Sequence, residues 1–284
     1  MLKADNDRPS NYKLNWGTRC IQNKTCMKEP QNSKALYESV DAALLNKPQY
    51  SALLQLYEDF SPEVCINEMI NIDRRNHINN VIDSFTATEV YKIAYRYLQD
   101  KGKAGDVPAF KELLKNFWFG LYSRCKSSSV TGSSGFEHVF IGEWRDSIVD
   151  GLHSWFRYYN LEKDGAIKYY GFHSHNEDNF ASIKYKWNNY MKQIGSFFLK
   201  TSPAFDFSLF TVCALTRPGN NACNFKMDGH NITIVTLVQD GRNGQVLATA
   251  YPRSEATNLA TSFVIDWFLI LTLAALSRNV LAKY

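Results

Sequence analysis

Gly132-Ser133-Ser134-Gly135-Phe136-Glu137-His138-Val139-Phe140-Ile141-Gly142-Glu143 marks the point in this 284-residue chain where the sequence pattern changes. Upstream, apolar residues recur at helical spacing. Leu53, Leu54 and Tyr57 share a face after Pro48. Thr86 and Glu89 have capping-box spacing ahead of Val90, Ile93, Ala94, Tyr97 and Leu98, and Gly102 stops that run. Asp106 can cap a further helix, with Pro108 in its first turn and Phe110, Leu113, Leu114 and Phe117 inward. Lys126 to Gly135 is rich in serine and glycine and predicts a loop. Phe136 to Phe140 then predicts a strand. Downstream, a short helix carries Trp155, Tyr158 and Tyr159 and ends near Gly165. Ile183, Tyr185 and Trp187 alternate with Lys184, Lys186 and Asn188, as in a half-buried strand. Ser202-Pro203 opens a helix that Arg217-Pro218-Gly219 ends, and strands at 231–239 and 245–251 flank a hairpin loop. Helices first, then strands mixed with helices, predict an α+β fold.

Composition bounds the function. Hydrophobic residues are 45% and charged residues 21%, which excludes wholesale disorder. The net charge of +4 is too small for a protein that grips nucleic acid by bulk charge. It comes wholly from residues 1–34, where seven basic residues face three acidic ones; the remainder carries 25 of each sign. Residues 1–36 are polar and irregular and predict a tail. Any anion site beyond it must be built by local placement. Between Asp178 and Asp206 stand Lys184, Lys186, Lys192 and Lys200 with no acid, a local anion-attracting stretch.

Six cysteines without a C-x-x-C pair are too few for a disulfide scaffold and exclude a zinc ribbon. Cys213 and Cys223 bracket a turn and can pair in an oxidising compartment. Asn23-Lys24-Thr25 and Asn231-Ile232-Thr233 are glycosylation sequons. The N-terminus has no signal-peptide pattern. Ala260 to Leu276 is nearly all apolar, with one charge at Asp266, and fits either a docked helix or a membrane anchor spanning 259–281. His173-Ser174-His175-Asn176-Glu177-Asp178 offers metal-ligand residue types, but its composition favours a solvated turn.

The remaining histidines carry more chemistry. His138 lies beside Glu137 and Glu143, and His153 sits where Gly151-Leu152 gives way to a helix. A helix N-terminus disfavours a cation, so His153 is expected neutral at pH 7. One neutral histidine and one charged beside a carboxylate form a base and an acid. Cleavage of RNA through its own 2′-hydroxyl requires that pairing, and a lysine would stabilise the charge building on phosphorus.

The opening stretch resembles the signature of the EndoU (XendoU) family of uridylate-specific endoribonucleases. Six further segments match in the same order: 46–54, 117–124, 151–155, 190–196, 201–207 and 248–252. The similarity runs from about Ser33 to Pro252. It implies a helical part over 37–125 and a catalytic part over 126–253, formed of two small α/β lobes whose antiparallel sheets face a cleft. His138 and His153 would come from one lobe, and Lys192, Ser196 and Tyr251 from the other. His138 and His153 match the family's catalytic histidines and Lys192 its catalytic lysine. Ser196, Thr249 and Tyr251 match substrate-binding positions, with Tyr251 stacking on sugar or base. Glu137 and Glu143 match acidic positions with a supporting or metal-binding role.

The resemblance implies cutting of single-stranded, uridine-containing RNA by a monomer, leaving 2′,3′-cyclic phosphate and 5′-hydroxyl ends, with DNA not cut. It also implies dependence on, or stimulation by, manganese, with calcium as the alternative. The helix-end argument favours His153 as base, though the two histidines can exchange roles. Relatives are commonly secreted, which with the apolar C-terminal run suggests a secreted or membrane-associated protein. The competing readings are a catalytically weak RNA-binding protein of the same fold and a membrane-tethered interaction protein.

Overall fold

A computed structural model describes residues 1–20, 26, 34–125, 129–176 and 179–254. A small antiparallel pair comes first, β1 (Tyr12–Leu14) with β2 (Tyr37–Val40). Four helices follow: α1 (Pro48–Tyr57), α2 (Ile72–Thr86), α3 (Glu89–Asp100) and α4 (Val107–Phe119). Then come β3 (Glu143–Arg145), β4 (Ile148–Asp150), α5 (Trp155–Lys163), β5 (Ile167–Asn176), β6 (Phe180–Trp187) and β7 (Tyr190–Phe198). Helix α6 (Pro203–Thr216) precedes the meander β8 (Gly219–Met227), β9 (His230–Gly241) and β10 (Gly244–Ser254). The order is α+β, as the sequence pattern predicts.

Two sheets frame the second half. One has the order β3-β4-β7-β6-β5 and is antiparallel except for the β4–β7 pairing. The other has the order β10-β9-β8 and is antiparallel throughout. Helix α6 is apolar on nearly all sides because it is central: it packs against α1, α2, α3, β9 and β10. Ser202 caps it, its side chain accepting from the Phe205 amide, and Pro203 takes the first turn. The high aromatic content fills the space around it. Trp118 stacks on Phe207 with centroids 4.7 Å apart, and Phe119 on Phe136 at 4.4 Å. The Trp118 Nε1–H donates to Thr211 Oγ1 at 2.9 Å, so the buried indole keeps a partner.

Several expectations need correction. Residues 1–20 are not a tail. Asp5 is buried and its Oδ2 accepts from the Ser202 amide at 2.8 Å. Asp7 accepts from Lys47 Nζ at 2.7 Å and from Gln49 Nε2 at 2.9 Å. Polar residues used as caps and ion-pair partners look like a tail in composition alone. Thr88, not Thr86, caps α3: its Oγ1 accepts from the Tyr91 amide at 3.2 Å, while Thr86 ends α2. Tyr97, expected on one face with Val90 and Leu98, and Leu113, expected inward, are exposed.

All six cysteines pair, as Cys20–Cys26, Cys65–Cys125 and Cys213–Cys223. His173 and His175 lie on β5, not in a turn. The His173 Nε2 hydrogen-bonds the Gln193 carbonyl at 2.8 Å, and the His175 ring stacks on Trp16 at 3.9 Å. Glu177, Asp178, the Asn23 sequon and the apolar run 259–281 lie outside the described residues. Among the described residues no helix is long and apolar enough to cross a membrane.

Candidate active site

The quoted stretch does not form the expected strand. Glu137–Ile141 is a π-helical turn, closed by a hydrogen bond from the Gly142 amide to the Glu137 carbonyl at 2.8 Å. Phe136 and Phe140, one helical turn apart, stack on each other at 4.8 Å and face the aromatic core. A spacing of four residues puts two side chains on one face of a strand or of a helix, and core packing selects the helix. His138 lies between them in sequence and is 5% exposed.

The chain reaches His153 through a tight crossing. Gly151 (φ +70°) and Leu152 (φ +60°) are both left-handed. The Leu152 amide donates to the His138 carbonyl at 2.8 Å, and the His153 amide to the Val139 carbonyl at 2.7 Å. A Cβ on Gly151 would lie 2.0 Å from the His138 carbonyl oxygen, so only glycine permits this approach. The imidazoles of His138 and His153 stand with centroids 5.8 Å apart.

Each ring has one nitrogen engaged by a different partner. His138 Nδ1 bonds Glu143 Oε2 at 2.8 Å, whereas His153 Nδ1 bonds the Ser196 carbonyl at 2.9 Å. A carbonyl only accepts, so His153 carries its proton on Nδ1 and leaves Nε2 as a lone-pair acceptor. Burial, then Lys192 and His138, hold His153 well below the ordinary imidazole value. It is neutral as expected, but burial is the first cause, not the helix end. Burial and Arg124 depress His138 too, while Asp150 pulls it back up. Burial lifts Glu143 to about 7, with Arg124 and Ser133 opposing. His138 and Glu143 thus form a hydrogen-bonded pair that both burial effects push toward its uncharged form.

Lys192 comes from β7. Its Nζ donates to the Gly151 carbonyl at 2.7 Å, on the crossing that carries His153. Burial brings its pKa down to about 8, with Asp150 opposing. Burial would raise Asp150, but His138, Arg124, Lys192 and Arg145 outweigh it and hold that carboxyl well below its ordinary value. Tyr251, on β10, stacks on His153 at 4.8 Å with the rings 19° apart. Thr249, two residues before it, has a buried hydroxyl without a hydrogen-bond partner among the described residues. The lobe assignment therefore changes. Lys192 and Ser196 lie on the five-stranded sheet that also contains β3 and β4, between His138 and His153 in sequence, while Tyr251 and Thr249 lie on the other sheet.

Arg124 ends the 117–124 segment and joins these parts, a role that sequence reasoning missed although the segment was singled out. Its guanidinium reaches Glu143 Oε2 at 3.3 Å, Ser133 Oγ at 3.1 Å, the Tyr122 hydroxyl at 2.5 Å and the Ala248 carbonyl. Ser133 Oγ also donates to Glu143 Oε1. Arg124 thus clamps the carboxylate behind His138 and the strand that presents Thr249 and Tyr251. The only signal in the sequence was an arginine beside a cysteine after an aromatic run.

Glu137 does not join the histidines. It is fully buried, and neither carboxyl oxygen has a hydrogen-bond partner among the described residues. Burial, then Glu143 and Glu68, raise its pKa well above the ordinary 4.5. Its proton is held in the folded state, so stability is full below pH 4.5 and falls as pH rises above it. Glu137→Gln should match the parent near pH 4. Its advantage should then grow by about 1.4 kcal/mol per pH unit until Glu137 ionises in the folded state. Urea unfolding across pH checks this, and a constant difference would contradict it. An enclosed, protonated carboxyl is a poor cation ligand. Among the described residues there is no group of three or more His, Cys, Asp or Glu side chains that could hold a metal.

A family model described as Endoribonuclease XendoU matches residues 1–252. A uridylate-specific endoribonuclease of Mus musculus is 32% identical over 249 residues, covering 84% of this chain and 59% of that protein. Uridylate-specific endoribonuclease D of Xenopus laevis is 34% identical over 229 residues, covering 78% and 74%. The solved structure of XendoU, titled a splicing-independent snoRNA processing endoribonuclease, superposes with a TM-score of 0.72 at 29% identity, covering 90% of this chain and 95% of that one. The chain spans less than two thirds of the length of the mouse relative.

Proposed function

The chain belongs to the XendoU endoribonuclease family, and from that premise we propose that it cuts single-stranded RNA at uridylates through the substrate's own 2′-hydroxyl. The observation that carries the reading is the histidine pair, 5.8 Å between centroids, with a carbonyl behind one ring and a carboxylate behind the other.

His153 Nε2 takes the 2′-hydroxyl proton, and the freed oxygen attacks the adjacent phosphorus. His138 Nε2–H protonates the departing 5′-oxygen. Glu143 favours this division, since His138 alone of the two is hydrogen-bonded to a carboxyl group with which a second proton can be shared. The incoming phosphate adds negative charge that offsets the depression of His138 by burial. Lys192 stabilises the charge that builds on phosphorus. The products are a 2′,3′-cyclic phosphate and a 5′-hydroxyl, and DNA, lacking the nucleophile, is not cut. Tyr251 takes the sugar or base, while Ser196 and the Thr249 hydroxyl, which has no partner among the described residues, read uracil. One chain carries the whole His/His/Lys set, so a monomer suffices. Manganese or calcium dependence remains part of the proposal as an effect on rate. Glu137 and Glu143 do not fit as a cage for the ion, and no step is routed through it.

Lys192 gives the reaction an alkaline limb. It must be charged, and its pKa is about 8, so kcat/KM should take an additional fall of about tenfold per pH unit above that value. Lys192→Arg stays charged and should remove this additional fall even if its activity is lower. Equal alkaline slopes in the two proteins would contradict the role. The function itself is tested with DNA oligonucleotides holding one ribouridine, ribocytidine or riboadenosine, with and without manganese, calcium or EDTA. Cutting at ribouridine alone is expected. Binding without cutting under every condition would favour the inactive RNA-binding reading.

A further inference from the structure

We propose that Asn231 is an N-glycosylation site, a modification independent of the endoribonuclease reading. Asn231-Ile232-Thr233 is an acceptor triplet without proline. The fold presents it well. Asn231 follows the β8–β9 hairpin, whose turn residues Asp228 and Gly229 are left-handed, and its side chain is exposed. Ile232 points into the core at 1% exposed, so strand alternation directs Asn231 and Thr233 to the other face. A triplet with the asparagine buried would carry no such inference.

The cysteines supply a second, separate observation. All six are paired in three disulfides, which belongs to chains that mature in an oxidising compartment, where oligosaccharide is also transferred to asparagine. The neighbourhood gives the sugar a physical role. β8 is the outer strand of its sheet, and Asn231 pairs with its exposed Lys226. Asn220, Asn221 and Asn224 on β8 are exposed too. A glycan at Asn231 shields the neighbourhood of β8, whose outer edge pairs with no strand among the described residues. It also stands clear of the site. Val235, the partner of Tyr251 on β10, lies four residues along β9, a distance of about 14 Å.

In the transfer, the Asn231 side-chain nitrogen forms a bond to the first sugar carbon of a lipid-diphosphate-linked oligosaccharide. The sugar–phosphate bond breaks, the lipid diphosphate leaves with the bonding electron pair, and the amide proton passes to the transferase. The test uses the full chain isolated from the cells that make it, digested and treated with peptide N-glycosidase in ¹⁸O-labelled water. The peptide containing Asn231 should return as ¹⁸O-labelled aspartate, and Thr233→Ala should abolish that label while RNA cleavage is unchanged. Recovery of that peptide as unmodified asparagine before glycosidase treatment would overturn the proposal.

Discussion

His153→Ala should lower kcat by about a hundred- to ten-thousand-fold, the range for removal of a positioned general base. His138→Ala should do the same from the acid side. The two losses should not multiply, because both groups serve one proton-transfer sequence. RNA binding should survive in both, since Lys192 and Tyr251 remain. The two variants should differ in stability. His153 leaves behind the Ser196 carbonyl and the stacked Tyr251 ring, whereas His138 leaves the buried carboxyl of Glu143 without its imidazole partner. His138→Ala should therefore unfold earlier in urea. Single-turnover cleavage of a ribouridine oligonucleotide, with binding measured separately, checks the first part. A His153→Ala protein that cuts within a few-fold of the parent would remove that histidine from the mechanism.

Arg124→Ala should cost about 3–5 kcal/mol of stability, the usual result of stripping the partner from a buried ion pair. Glu143 is fully buried, and Arg124 both opposes its burial and holds the Ala248 carbonyl on β10. Activity should fall as well. Without the guanidinium, burial lifts Glu143 further, and its ionised form supports a proton on His138 less well. Arg124→Lys should recover part of the stability and little of the activity, because an ammonium cannot span Ser133, Glu143 and Ala248 at once. Denaturant midpoints measured beside cleavage rates check both statements. An Arg124→Ala protein with an unchanged midpoint would show that the clamp is not what holds the site.

Much of this architecture is legible in the chain because local chemistry and tertiary packing agree. Asp106 with Pro108, and Ser202 with Pro203, announce α4 and α6, and both caps are made as expected. The alternation from Ile183 to Trp187 announces β6. Misreadings arise where one pattern fits two structures. Phe136 and Phe140 suit a strand face as well as a helical turn, and only Phe119 and Trp118, brought from α4, decide between them. Asp5 and Asp7 read as tail residues until Ser202 and Lys47 stand beside them. At the candidate site, the histidines, Lys192 and Tyr251 were legible through motif resemblance, and the structure brings them together. Glu137 resembles Glu143 in sequence, yet one faces the buried interior and the other His138. Arg124 could not be singled out, because its partners lie 9, 19 and 124 residues away.

The local placement of charge also suits the proposed action on RNA by a chain of modest net charge. Asp150, Arg145, Arg124 and Lys192 surround the histidines, three cations against one carboxylate. The field at the histidine pair is set by these few groups, not by the +4 of the whole chain.

The most direct test of the central claim is the chemistry of the cut ends. A DNA oligonucleotide with one ribouridine, and the same oligonucleotide with that sugar carrying 2′-fluorine, are incubated with the full chain and the products weighed by mass spectrometry. The ribose substrate should give one fragment ending in a 2′,3′-cyclic phosphate and one beginning with a 5′-hydroxyl, and the fluorinated substrate should stay intact. Cutting of the fluorinated substrate, or a 5′-phosphate on the downstream fragment, would mean that the nucleophile is not the substrate's own hydroxyl and would contradict the account.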